Sequence, residues 1–131
     1  MNREHERRNN ERLSVKIVAH CTRQQHGLSP AEHFLSFTKD LTVGGARLIV
    51  AEDVGSGDPL SMSLEIPTAF IPALVYGKVI WAQGMVIWGE RFHSFTEAGV
   101  QFLDMNAQDT EKLGQFIESR LQKQILQRSE K

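Results

Sequence analysis

Two short groups of residues in this sequence are of the kinds that read a guanine base or a phosphate. The first is Arg8-Asn9-Asn10-Glu11-Arg12, with Arg7 beside it. A guanidinium donates two parallel hydrogen bonds to guanine O6 and N7 or to phosphate oxygens, a geometry that lysine does not reproduce. The second is Asp40-Leu41-Thr42-Val43-Gly44-Gly45. Its carboxylate can accept from the N1–H and exocyclic amine of a guanine, its hydroxyl adds one more bond, and glycine lets backbone or ligand approach closely. Each group also has an ordinary reading. The arginines sit in a charge-rich terminus where Arg3 and Arg7 repeat the same spacing, and Asp, Thr and Gly together make a good turn.

The segments that must position these groups read as strands. In residues 13–21 the odd positions Leu13, Val15, Ile17, Ala19 and Cys21 are apolar, while Ser14, Lys16 and His20 interrupt the other face. Residues 22–33 carry Gly27, Ser29 and Pro30 among polar neighbours and read as a loop, after which Phe34, Leu35 and Phe37 begin a second strand. The stretch from Lys39 to Gly45 reads as a turn, followed by a strand bearing Ala46, Leu48 and Val50. Leu60-Ser61-Met62-Ser63-Leu64 is the cleanest alternation, a half-buried strand, and Pro67 and Pro72 bracket a break after it. Residues 75–82 and 85–89 read as two strands around Gln83-Gly84, and 99–103 as a last one. From Asn106, a suitable N-cap with Asp109 three residues on, a helix is predicted. Its apolar stripe is Leu113, Phe116, Ile117 and Leu121, and its end, residues 122–131, is expected to fray.

Six or seven short strands with no helix between them exclude βαβ units and favour a closed or nearly closed antiparallel β-barrel, all-β apart from its C-terminal helix. At 131 residues the expectation is one domain, residues 13–131, preceded by a flexible arginine-bearing arm, residues 1–12. A net charge of −1 removes the overall attraction expected of a general nucleic-acid binder. No apolar leader or spanning segment is present, which predicts a cytoplasmic protein with no membrane insertion.

The two groups, in this order around the first strands, resemble the signature of the PilZ domain family, Arg-x-x-x-Arg followed some thirty residues later by Asp/Asn-x-Ser-x-x-Gly. The likeness continues through Gly44-Gly45-Ala46-Arg47-Leu48, Gly77-Lys78-Val79-Ile80-Trp81 and Ala98-Gly99-Val100-Gln101-Phe102-Leu103-Asp104. The resemblance implies a six-stranded antiparallel split barrel with a C-terminal helix, in a bacterial protein that binds the second messenger cyclic di-GMP and signals to a separate protein. Carried over by position, Arg7, Arg8 and Arg12 contact guanine and phosphate, Asp40 and Thr42 read the guanine edge, Gly45 keeps the turn open, and Trp81 lines the site. Thr42 stands where the family usually has serine, which keeps the hydroxyl and adds a methyl group.

Three other readings compete. An enzyme would use Cys21 as nucleophile with His20, His26, His33 or His93 as base, yet Cys21 falls on the apolar face of a strand and the histidines lack metal-ligand spacing. A nucleic-acid-binding barrel would use the arginines and aromatics as a stacking platform. An adaptor of the same fold would bind protein and no nucleotide. The resemblance favours a non-catalytic sensor without metal or cofactor. It leaves the partner, the regulated process and the choice of monomer or homodimer open.

Overall fold

The alternation of residues 60–64 is a strand with one face in the core: Leu60, Met62 and Leu64 are buried and Ser61 is exposed. In the computed structural model, which describes residues 11–24, 30–87 and 93–129, six strands form. They are β1 (Val18–Arg23), β2 (Glu32–Thr42), β3 (Gly45–Val50), β4 (Pro59–Leu64), β5 (Ala73–Ile87) and β6 (His93–Met105), and a helix, α1 (Ala107–Ser129), ends the chain. The strands close into an antiparallel barrel in the order β1-β2-β3-β6-β5-β4. Its interior is filled by small and branched side chains, among them Ala19, Leu48, Val50, Val79 and Ala98.

Five boundaries differ from the sequence reading, and the largest is β6, which runs from His93 to Met105 where only residues 99–103 were expected, because its polar first half pairs with the far end of β5. β1 begins at Val18 rather than Leu13, although Leu13, Ile17, Ala19 and Cys21 are all buried as the alternation requires. β2 runs through Asp40 and Thr42, so the expected turn shrinks to Val43-Gly44. β5 continues through Gly84 as one strand where two were expected, which fixes the strand number at six. The helix holds to Ser129, because Gln, Lys, Leu, Ile and Arg sustain a helix even where the apolar stripe has ended.

Residues 13–17 are tied to β2 without becoming a strand. Leu13 and Leu41 exchange two backbone hydrogen bonds of 2.9 Å. Thr38 does the rest: its backbone N–H donates to Ile17 O at 2.9 Å, and its hydroxyl accepts from Ile17 N–H at 3.0 Å and donates to Val15 O at 2.5 Å. The chain just after the arginine-rich terminus is therefore fixed against the end of β2.

Asn106 caps α1, its Oδ1 accepting from Asp109 N–H at 2.7 Å. The Asp109 carboxylate does not return the bond as a capping box would. It accepts from Leu74 N–H at 3.1 Å, which fastens the first turn of the helix to β5. Leu113, Phe116 and Ile117 are buried and Leu121 is half-buried, so the stripe packs on the barrel along β5 and β2. Asn106→Ala is expected to lower the free energy of unfolding by about 1 kcal/mol, the usual worth of an N-cap, read as a shift of the urea midpoint without a change of slope.

Candidate functional site

The site begins with an irregularity in β2. Thr38 points into the core, and strict alternation would send Asp40 inward as well, which would bury a carboxylate among leucines. A register shift between Thr38 and Asp40 prevents this, turning Leu41 inward and Asp40 to the outer side of the sheet, where it is paired with Arg47 and only 5% exposed. With a two-residue turn, Asp40 then lies directly across from Arg47 on β3. Arg47 faces Gly99 on β6, and Gly99 faces Trp81 on β5. One row of four residues thus crosses four strands on the outside of the barrel.

Each member of the row has a defined contact. Arg47 Nε donates to Asp40 Oδ2 at 2.6 Å and Arg47 Nη2 pairs with the same oxygen, while Nη1 lies 3.4 Å from Glu97 Oε1. Glu97 in turn pairs with Lys39 at 3.4 Å. The guanidinium pKa is raised, chiefly by its hydrogen bond to Asp40, so Arg47 stays charged across any working pH. Arg47 occupies Oδ2, and among the described residues Oδ1 has no hydrogen-bond partner. At the other end of the row, a Cβ on residue 99 would come within 2.2 Å of Trp81 Nε1. The indole therefore lies over the Gly99 backbone on the outside of the barrel, 38% exposed, and is not a core residue.

The Leu13–Leu41 pairing sets Arg12 alongside Thr42, next to Asp40. Arg12 is exposed and has no hydrogen-bond or ion-pair partner among the described residues. Thr42 itself is engaged: its hydroxyl accepts from Gly44 N–H at 3.1 Å and donates to Gly45 O at 3.2 Å, holding the turn. Gly45 serves a purpose other than an open turn. A Cβ there would meet Val100 O at 2.5 Å, so glycine lets β3 close against β6 at the point where the groove floor forms.

Arg12, Asp40, Thr42, Gly45, Arg47 and Trp81 share one groove of about 400 Å³, a volume within the range of small-ligand sites. Arg7 and Arg8 lie outside the described residues. Sequence reasoning missed Arg47 and Gly99 as members of this constellation.

The competing chemistry finds less support. Cys21 is buried against Ser36, 3.3 Å from its hydroxyl, and burial pushes the thiol pKa up, away from the thiolate a nucleophile needs. His20 is paired with Glu65 at 2.8 Å and His33 with Thr22 at 3.0 Å. His26 and the side chain of His93 lie outside the described residues. Among the described residues no three His, Cys, Asp or Glu side chains are grouped to hold a metal ion, and no helix is long and apolar enough to cross a membrane.

Comparison with known families places this geometry. The model of the PilZ domain matches residues 6–119, which is most of the chain and includes both residue groups around the groove. The chain belongs to the PilZ domain family. Solved structures carry the same barrel. The PilZ domain of YcgR from Escherichia coli, determined with c-di-GMP, is 14% identical with a TM-score of 0.63, over 92% of this chain and 95% of that one. K. pneumonia MrkH in its apo state is 15% identical with a TM-score of 0.67, over 89% of this chain and 50% of that one. MotI/DgrA, the Bacillus subtilis inhibitor of motility, is 14% identical with a TM-score of 0.63, over 86% and 50%. The PilZ chain thus spans about half the length of MotI/DgrA and MrkH. At these identities the likeness is one of fold. No curated protein matches the sequence.

Proposed function

We propose that this PilZ domain binds cyclic di-GMP in the groove between Arg12 and Trp81, and that binding draws the N-terminal arm, residues 1–12, over the single barrel of residues 13–131. The observation that carries the reading is the tie of Leu13 to Leu41, which sets the root of the arginine arm beside Asp40 on the outside of the barrel. Arg8 and Arg12 take the guanine Hoogsteen edge and a phosphate through paired bonds, with Arg7 adding a further contact. Asp40 Oδ1 accepts from the guanine N1–H or amine. Thr42 keeps the turn in shape and offers its remaining lone pair, and Trp81 stacks on a base.

The ligand carries two phosphodiester charges, and the arm brings the cations that neutralise them. Ordering the arm costs conformational entropy, which the charge-assisted bonds offset, and it changes the surface the domain shows to a separate partner protein. Nothing in this scheme requires a covalent step, so the domain acts as a sensor rather than an enzyme.

Trp81 gives a direct readout. With Trp88→Phe as background, leaving Trp81 as the emitter, cyclic di-GMP is expected to quench or shift the fluorescence in a saturable way, and GTP is expected to leave it unchanged. An emission spectrum indifferent to cyclic di-GMP would remove Trp81 from the site. An equal response to GTP would remove the dinucleotide specificity.

A further inference from the structure

The two edges of β5 are treated differently along its length. One edge pairs with β6 from Val75 to Ile87. The other pairs with β4 only from Ala73 to Lys78. The segment between β3 and β4 covers the next two residues: Val79 N–H donates to Asp58 O at 2.9 Å, Gly57 N–H donates to Val79 O at 2.7 Å, and the Ser56 hydroxyl donates to Ile80 O at 3.1 Å. Beyond Ile80, among the described residues, no strand, loop or side chain is hydrogen-bonded to that edge.

An open edge is a template for another strand, and folded proteins ordinarily blunt it with lysine, proline, a bulge or a cover. Among the described residues none of these devices is present along residues 81–87, the nearest being the register shift between Val79 and Trp81 that precedes the stretch. From Val79 to Ile87 the sequence holds no charged residue and no proline. The register with β6 is unbroken from Trp81 to Ile87, so no bulge turns this stretch away. Trp81, Val86 and Ile87 are residue types that favour strands.

We propose that residues 81–87 pair antiparallel, edge to edge, with the same residues of a second copy of this chain. The absence of charge argues for self-pairing: laid against itself the segment sets no like charges opposite one another, whereas a charged partner strand would gain nothing from it. Antiparallel self-pairing is also isologous. It consumes the open edge of both copies and stops at a dimer, so the edge does not propagate a fibre. Gly84 is the middle residue of the segment and falls on the two-fold axis, where its own mate faces it. A Cβ there meets nothing within 4 Å in the isolated chain, so a side chain at this position is tolerated by the fold itself and is felt only across the pair.

The test is sedimentation velocity of the full chain over a wide concentration range, for the wild type and for Gly84→Lys, with amide hydrogen exchange at the two extremes of concentration. The wild type is expected to pass from monomer to dimer as concentration rises, with exchange slowing in residues 81–87. Gly84→Lys, which sets two ammonium groups across the axis, is expected to remain a monomer throughout with the wild-type thermal midpoint. A wild type monomeric throughout, a Gly84→Lys dimer as tight as the wild type, or a dimer whose added protection lies outside residues 81–87 would overturn the proposal. Should Gly84→Lys fail to fold, the exchange pattern of the wild type decides alone.

Discussion

Phe116→Ala is expected to lower the free energy of unfolding by about 3–5 kcal/mol, the range for deleting a buried aromatic side chain whose cavity its neighbours cannot refill. Phe116 is 2% exposed and stands between Leu113 and Ile117 on the face of α1 that packs along β5 and β2. Strands held by backbone ladders cannot move in to close the gap. Arg120 adds to the packing, its guanidinium lying 5.4 Å from the ring centre. A domain of this size has about 5–15 kcal/mol in total, so the variant should sit close to its unfolding threshold at room temperature. Leu121→Ala, at a half-buried position on the same stripe, should cost clearly less. Urea unfolding of the two variants checks the pair. Midpoints equal to the wild type's in both variants would mean that the helix is dispensable to the barrel.

The helix stripe is legible in the sequence because four apolar residues at a period of 3.6 fit one face of a helix and neither face of a strand. The alternation of residues 60–64 is legible because a period of two fits only a half-buried strand. Residue type misleads where the backbone decides. Asp40, Thr42 and the two glycines suggest a broad turn, but Thr42 bonds the turn backbone with its own hydroxyl, and the reversal needs only Val43 and Gly44. A turn taken too long conceals Arg47. Once the turn is known to be two residues long, counting outward pairs Thr42 with Gly45, Leu41 with Ala46 and Asp40 with Arg47, so the ion pair is present in the sequence for a correct turn length. Gly84 misleads in the same way, suggesting an interruption where it is a strand residue in open space. The bulge at Thr38 and Asp40 and the seat of Trp81 on Gly99 depend on which strands become neighbours around the barrel, and no local pattern specifies that.

Asp40→Ala is expected to weaken cyclic di-GMP binding by about 1–3 kcal/mol, roughly 5- to 150-fold, the worth of one specific base contact. Two losses combine. The ligand loses the acceptor at Oδ1, and Arg47 loses the partner that holds it in the row, keeping Glu97. Asp40→Asn separates them, since an amide oxygen can still accept from the guanine while the charge that fixes Arg47 is gone. It should bind more tightly than Asp40→Ala and less tightly than the wild type. Urea midpoints measured on the same preparations guard against reading an unfolding defect as a binding defect, because a nearly buried carboxylate in an ion pair also contributes to the fold.

The proposed sensor function stands or falls on the arm and the barrel acting on one ligand. Calorimetric titration of the wild-type chain with cyclic di-GMP, beside Arg8→Ala and Arg12→Ala, tests that union. The expected result is a saturable heat for the wild type that GTP does not reproduce, and an affinity that falls in both variants by about the worth of a bidentate guanine contact, 1–3 kcal/mol. An absence of heat with ligand at about 100 μM, where even a binding free energy near −5.5 kcal/mol would register, would contradict the sensor function and leave a PilZ barrel that meets only proteins.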